Sequence, residues 1–180
     1  MKKLHLAVSK DNLRPHLQNI QVKDGYVYAT NCHILVKFPI NEVFGLGSGV
    51  TEADHFYIDG KQWGKFKFHT ACMFIYENGL LTAKDKKYNE IAIIKVKKED
   101  ELNSKYPNCD NVIYSQDKKK MEIDSISFNH ELYYNLIEVF NFPVSLFNMS
   151  FYGQTSHIYV KPNDPSMSNA IALIMPINFM

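Results

Sequence analysis

No stretch of the 180-residue chain approaches the ~20 uninterrupted apolar residues that a membrane-crossing helix needs, so a helical membrane protein is excluded as a reading. Met1-Lys2-Lys3 is followed by only a few apolar residues before Ser9-Lys10-Asp11, and no secretory leader is expected. Cysteine is scarce: Cys32, Cys72 and Cys109 are odd in number, widely spaced and free of any C-x-x-C pattern. That argues against a disulfide scaffold or a zinc site and suits small reduced thiols in a cytoplasm. Catalytic signatures are missing as well. The seven histidines form no H-x-x-x-H or H-E-x-x-H pair, and His130-Glu131 stands at a helix start, where either residue is simply exposed. There is no G-x-S-x-G, no Gly-rich phosphate loop and no paired-acid motif. Neither an enzyme nor a metal or cofactor is therefore expected.

Charge of one sign is also lacking overall, with a formal net charge of +1, but its distribution is uneven. Residues 1–120 carry +5 and residues 121–180 carry −4. The basic excess lies in Lys84, Lys86, Lys87, Lys95, Lys97, Lys98 and the run Lys118-Lys119-Lys120. Such clusters attract phosphate over about a Debye length, although a charge run is more often a solvated face or linker.

What is present points to sheet. Hydrophobic residues make up 46% and charged residues 22%, which is globular rather than disordered, and 11 Tyr and 12 Phe among many Val and Ile favour strands. Ile20–Lys23, Asp24-Gly25 and Tyr26–Tyr28 read as a hairpin, and so do Met73–Tyr76, Asn78-Gly79 and Leu80–Thr82. Asp-Gly and Asn-Gly readily take the left-handed backbone of a type I′ turn. Val144–Phe151 and Thr155–Val160 form a third candidate pair around Gly153. The clearest helix runs from Asn129 to Phe140, where Leu132, Tyr133, Leu136, Ile137 and Phe140 share one face and Pro143 prevents continuation. Asp59 is placed to cap a shorter helix over Gly60 to Gly64, weakened by its glycines, and near Leu13-Arg14-Pro15 there is room for one turn only.

The unit strand, helix, hairpin, strand thus recurs three times, with its helix shrinking toward the N-terminus. This predicts an α+β fold of antiparallel sheets with few short helices packed on one face. Asn103 to Ser115 reads as irregular structure ending in a short strand. The lysine-rich stretch Ser115 to Met121 reads as the boundary between two parts, residues 1–117 and 118–180.

Three separated fragments carry more information than any of these elements. They are Ala29-Thr30-Asn31-Cys32-His33-Ile34-Leu35, then Lys105-Tyr106-Pro107-Asn108 with Val112-Ile113, and then Leu173-Ile174-Met175-Pro176-Ile177. In this order they resemble the pocket-forming segments of the sliding clamp of the bacterial replicative polymerase, the DNA polymerase III beta subunit. The family runs Ala-Thr-Asp-Gly-His-Arg-Leu at the first, Phe-Pro-Asp-Tyr at the second and Val-Met-Pro-Met-Arg-Leu at the third. The resemblance covers nearly the whole chain and implies a shortened clamp: residues 1–117 resemble the middle clamp domain, and 118–180 resemble the C-terminal half of the last.

The resemblance implies a sliding-clamp-like replication accessory protein, a processivity factor that is cytoplasmic and not an enzyme. It implies a groove between the two parts that binds partner-protein peptides, lined by Thr30, His33, Leu35, Pro107, Val112, Leu173, Ile174, Met175, Pro176 and Ile177. Its partners would be clamp-binding peptides of polymerase or other replication and repair proteins. Asn31, Cys32, Ile34 and Asn178 replace the family's Asp, Gly, Arg and Arg, so two cations at the groove rim are lost. Duplex DNA contact is left open; Lys61, Lys65 and Lys67 near the second helix could serve it, whereas the best helix carries Glu131 and Glu138 and no Lys or Arg. A ring would need several copies, and a monomer or small oligomer fits equally. A non-replicative protein-interaction domain, or a competitor for the partners of a host clamp, is the alternative.

Overall fold

The Asp24-Gly25 and Asn78-Gly79 turns set the fold. The computed structural model describes residues 2–66, 73–114, 126–140, 147–153, 156–167 and 169–176. In it these turn residues all take left-handed backbone, with φ of 50° and 79° in the first turn and 51° and 75° in the second. They close β1 (Asn19–Lys23) onto β2 (Tyr26–Thr30) and, later in the chain, β5 (Met73–Glu77) onto β6 (Leu80–Lys84). Each hairpin gains a third antiparallel strand, β3 (Ile34–Pro39) and β7 (Glu90–Lys95) respectively. The third hairpin pairs β8 (Phe147–Ser150) with β9 (Ile158–Pro162), and β10 (Ile171–Ile174) follows.

Ahead of each hairpin stands helical structure: two 3-10 turns, Leu4–Leu6 and Pro15–Gln18, before the first, where one turn near Leu13-Arg14-Pro15 was expected, then α2 (Gly60–Lys65) and α4 (His130–Phe140). The expected shrinkage of the helix toward the N-terminus is therefore present. β4 (Phe56–Asp59) leads directly into α2, and Asp59 caps it by accepting from the Lys61 and Gln62 N–H groups at 2.9 and 3.0 Å.

The strands form a seven-stranded sheet, in the order β4-β1-β2-β3-β10-β9-β8, and a three-stranded sheet β5-β6-β7. Every pairing is antiparallel, and the Tyr57↔Lys97 bridge ties the second sheet's exit to β4. Because β3 pairs with β10, one continuous sheet joins the N-terminal and C-terminal parts of the chain. The junction placed at Ser115 to Met121 lies outside the described residues.

Alternation along these strands divides the interior into two cores. On the helix side Leu4, Trp63, Leu136, Val139 and Phe140 pack on Ile20, Val22, Val27, Val36, Phe38, Ile158, Ala172 and Ile174. Trp63 is fully buried, donates from Nε1 to the Lys2 carbonyl at 3.0 Å and stacks on Phe74 with ring centroids 5.4 Å apart. On the opposite face Tyr28, Leu35, Tyr57 and Leu173 are covered by Tyr106, Cys109 and Ile113.

Two elements depart from the sequence reading. The segment expected to end in a short strand contains a helix instead, α3 (Cys109–Tyr114). Asn108 Oδ1 accepts from the Asn111 N–H at 3.1 Å, and the buried Cys109 and Ile113 stand one helical turn apart, which turns that face onto the sheet. A second short helix, α1 (Ile40–Phe44), follows Pro39 and buries Val43 and Phe44, an element the sequence reading lacks.

Candidate functional site

The β3–β10 register decides what lies on the outer face. Leu35 pairs with Leu173 and Ile34 with Ile174, so the two leucines share the outer face and the two isoleucines the helix-side core. Beyond the ladder, the Met175 N–H donates to the His33 carbonyl at 2.8 Å. The β2–β3 turn that carries His33 is fixed by its own side chains. Asn31 Oδ1 accepts from the His33 and Ile34 N–H groups, both at 2.9 Å, while Thr30 Oγ1 donates to the Ile34 carbonyl at 2.7 Å and accepts from Cys32 N–H at 3.2 Å. Cys32 occupies the left-handed region at φ 74°, where the resemblance places a glycine.

Opposite this turn stands α3, held at both ends. At its start the Asp110 carboxylate accepts from Lys37 Nζ at 2.7 Å and from the Tyr28 hydroxyl at 2.8 Å. The Lys37 ammonium also lies 3.9 Å from the centroid of the Tyr26 ring. At the other end the Tyr159 hydroxyl of β9 donates to the Ile113 carbonyl. The helix is thereby tied to strands from both halves of the chain.

Between α3, the β2–β3 turn and the end of β10 lies a cavity of about 220 Å³, lined by Thr30, Cys32, His33, Ile34, Leu35, Pro107, Cys109, Val112, His157, Leu173 and Met175. Seven of the ten residues expected at a peptide groove meet here: Thr30, His33, Leu35, Pro107, Val112, Leu173 and Met175. Ile174 is a correction. It is fully buried in the helix-side core, because strand alternation turns it away from Leu173 and Met175. Pro176 is half-buried and outside the lining, and Ile177 lies outside the described residues. His157 was missed. Its signal was parity, since it stands two residues before Tyr159 and thus on the same face of β9. Lys61 and Lys65 are exposed on α2, and Lys67 lies outside the described residues.

No protein-family model matches this sequence, and no curated protein matches it. Solved structures do. The DNA polymerase sliding clamp of Bacillus subtilis superposes with a TM-score of 0.61 at 14% identity, over 98% of this chain and 60% of that one. The DNA polymerase III subunit beta of Borrelia burgdorferi gives 0.65 at 12% identity, over 100% of this chain and 64% of that one. The Bartonella birtlesii sliding clamp gives 0.63 at 13% identity, over 98% and 64%. The chain has the sliding-clamp fold. It spans 60 to 64% of the length of these three clamps.

Within this clamp fold Cys109 forms part of the cavity wall. Burial, with a smaller push from Asp110, raises the Cys109 thiol from 9.0 to about 12, so it stays protonated at neutral pH. Burial likewise raises the Tyr57 hydroxyl, and it raises that of Tyr106 well above the ordinary tyrosine value. In the unfolded chain these groups ionise at their ordinary values. Above pH 9 the unfolded state thus releases the Cys109 proton that the folded state retains, and stability falls by up to about 1.4 kcal/mol per pH unit on that account. The urea midpoint is accordingly expected to drop as pH rises from 9 toward 11, and less steeply in Cys109→Ala. A parallel pH dependence in that variant would rule out the thiol as a contributor. Among the described residues no helix is long and apolar enough to cross a membrane.

Proposed function

We propose that this clamp-fold protein is a non-enzymatic replication accessory factor that holds extended peptides of partner proteins in the groove between residues 1–117 and 118–180. The supporting observation is the His33–Met175 hydrogen bond, which brings the amino-terminal turn and the carboxyl-terminal strand to one hollow walled by α3. The lining is mostly apolar, and methionine is able to repack around different side chains. Thr30 spends its hydroxyl on its own turn, so orientation of a ligand's polar groups falls to the exposed His33. Anchors of the Leu or Phe type, placed in such an apolar hollow, supply most of the affinity of a short peptide. Other clamps of this fold carry ligands: that of Bartonella birtlesii is bound to griselimycin, and that of Borrelia burgdorferi is in complex with a natural product.

Titration with a peptide of the outline Gln-x-x-Leu-Phe tests this reading. Saturable binding is expected, weakened at least about fivefold by Met175→Ala through the loss of roughly 1 kcal/mol or more of packing. His33→Ala is expected to weaken it as well. No binding at millimolar peptide would leave the clamp fold serving a non-replicative interaction. Duplex DNA contact is the second part of the proposal. It assigns Lys61 and Lys65 to phosphates on the helix side, with a log affinity that falls linearly with log salt.

A further inference from the structure

The turn between β6 and β7, Asp85-Lys86-Lys87-Tyr88-Asn89, is built unlike the other two hairpin turns described above. Asp85 N–H donates to the Asn89 carbonyl, and Tyr88 N–H donates to the Asp85 carbonyl, both at 3.0 Å. The Asp85 carboxylate accepts from the Lys87 and Asn89 N–H groups at 2.7 and 2.9 Å and from Asn89 Nδ2 at 3.0 Å. Its oxygens are thus turned onto the loop itself. They hold the loop's shape, while Lys86 and Lys87 are exposed beside it.

Tyr88 is 66% exposed at φ 64° and belongs to neither core cluster. Short hairpin loops place glycine or asparagine in this left-handed position, and a bulky side chain there is strained. The strain returns no core packing. What it does is present an aromatic face at the tip of a pre-shaped loop, flanked by two cations. A cavity, a metal or a buried partner would need surroundings that this tip does not have. An unpaired base next to its phosphates needs what it does have: a π-face and positive charge. In a duplex the base faces are already stacked on one another and closed to such a ring.

We infer that the β6–β7 turn is a binding tip for single-stranded nucleic acid, with the Tyr88 ring stacked on a base and Lys86 and Lys87 neutralising the adjacent phosphates. The contact is sequence-tolerant, because every base has a π-face. It is independent of the peptide groove and of the lysines on α2.

The test is fluorescence anisotropy of a labelled oligothymidylate titrated with the whole chain over a range of salt concentrations. Tyr88→Gly is the informative variant, since glycine takes left-handed φ freely and the protein should fold at least as well as the parent. It is expected to weaken binding by about fivefold or more with an unchanged salt slope, while Tyr88→Phe retains affinity. Lys86→Ala and Lys87→Ala are each expected to reduce the salt slope by about 0.7. Absence of binding at low salt overturns the proposal, and so does binding that Tyr88→Gly leaves intact. Loss of binding in Lys61→Ala or Lys65→Ala but not in the tip variants overturns it in favour of α2. Capture by phosphatidylserine vesicles, but not by the oligonucleotide, overturns it in favour of a membrane surface.

Discussion

Asp110→Ala is expected to lower folding stability by about 3 kcal/mol at neutral pH, because it leaves the Lys37 ammonium without its carboxylate in the interior. The Lys37 side chain is 4% exposed and that of Asp110 is 40% exposed. This asymmetry fixes the order of effects. Removing the carboxylate takes the counter-charge from a buried ammonium that also lies over the Tyr26 ring, whereas Lys37→Met replaces that charge with an apolar side chain and leaves Asp110 to water and the Tyr28 hydroxyl. Lys37→Met should therefore cost distinctly less than Asp110→Ala, and urea unfolding of the two variants measures the difference. The reverse order, or equal costs near zero, would show that the pair is a solvated surface contact. Asp110 also ties the start of α3 to β2 and β3, so Asp110→Ala should lower peptide affinity even where the protein remains folded. Tyr159→Phe, which frees only the far end of α3, should lower it less.

How much of this was legible in the sequence depended on whether the signal was local. Asp24-Gly25 and Asn78-Gly79 encode their turns in two residues, and Asp59 encodes its cap in one, so these elements could be placed without tertiary information. α4 was readable over eleven residues because its apolar positions repeat at helical spacing. α3 was not. Its six residues offer one apolar i, i+4 pair, Cys109 and Ile113, and Val112-Ile113 reads equally as the end of a strand. What selects the helix is the sheet surface beneath it and the Asp110 contact with Lys37 and Tyr28. Those partners lie more than seventy residues away in the chain.

The groove shows the same division. Its three segments were found by resemblance, and their meeting depends on the β3–β10 pairing, for which no local pattern exists. Ile174 was misplaced for a simple reason. A run such as Leu173-Ile174-Met175 does not state which of its members faces the core until a register is known, and the Ile34↔Ile174 pair supplies it. The two cores on opposite faces of one sheet also hide the usual alternation. β1 to β3 are buried on both sides, and Lys37 and Gln21 pass as interior residues only because the outer face is covered.

Gly60→Ala is the other large effect expected, and it opposes helix propensity. Alanine in place of glycine at the first position of α2 should gain from propensity, by less than the about 1 kcal/mol of a helix interior. A Cβ at Gly60, however, would stand 2.6 Å from Val8 Cγ2 and 2.8 Å from the Gln18 carbonyl oxygen. The valine methyl has freedom to rotate, but the carbonyl does not. Gln18 immediately precedes Asn19, which opens β1 opposite Asp59, and Asp59 is in turn the cap of α2. Making room would separate β1 from β4 at the edge of the seven-stranded sheet. Overpacking against backbone is expected to outweigh the propensity gain, for a net loss of about 2 kcal/mol in urea unfolding. Gly64→Ala is the control on the same helix: the nearest atoms its Cβ would meet are those of the His5 side chain, at 3.2 Å, rather than backbone. A Gly60→Ala protein as stable as the parent would mean that α2 does not seat on the loop before β1 as closely as described. The helix-side core around Trp63 would then have to be drawn again.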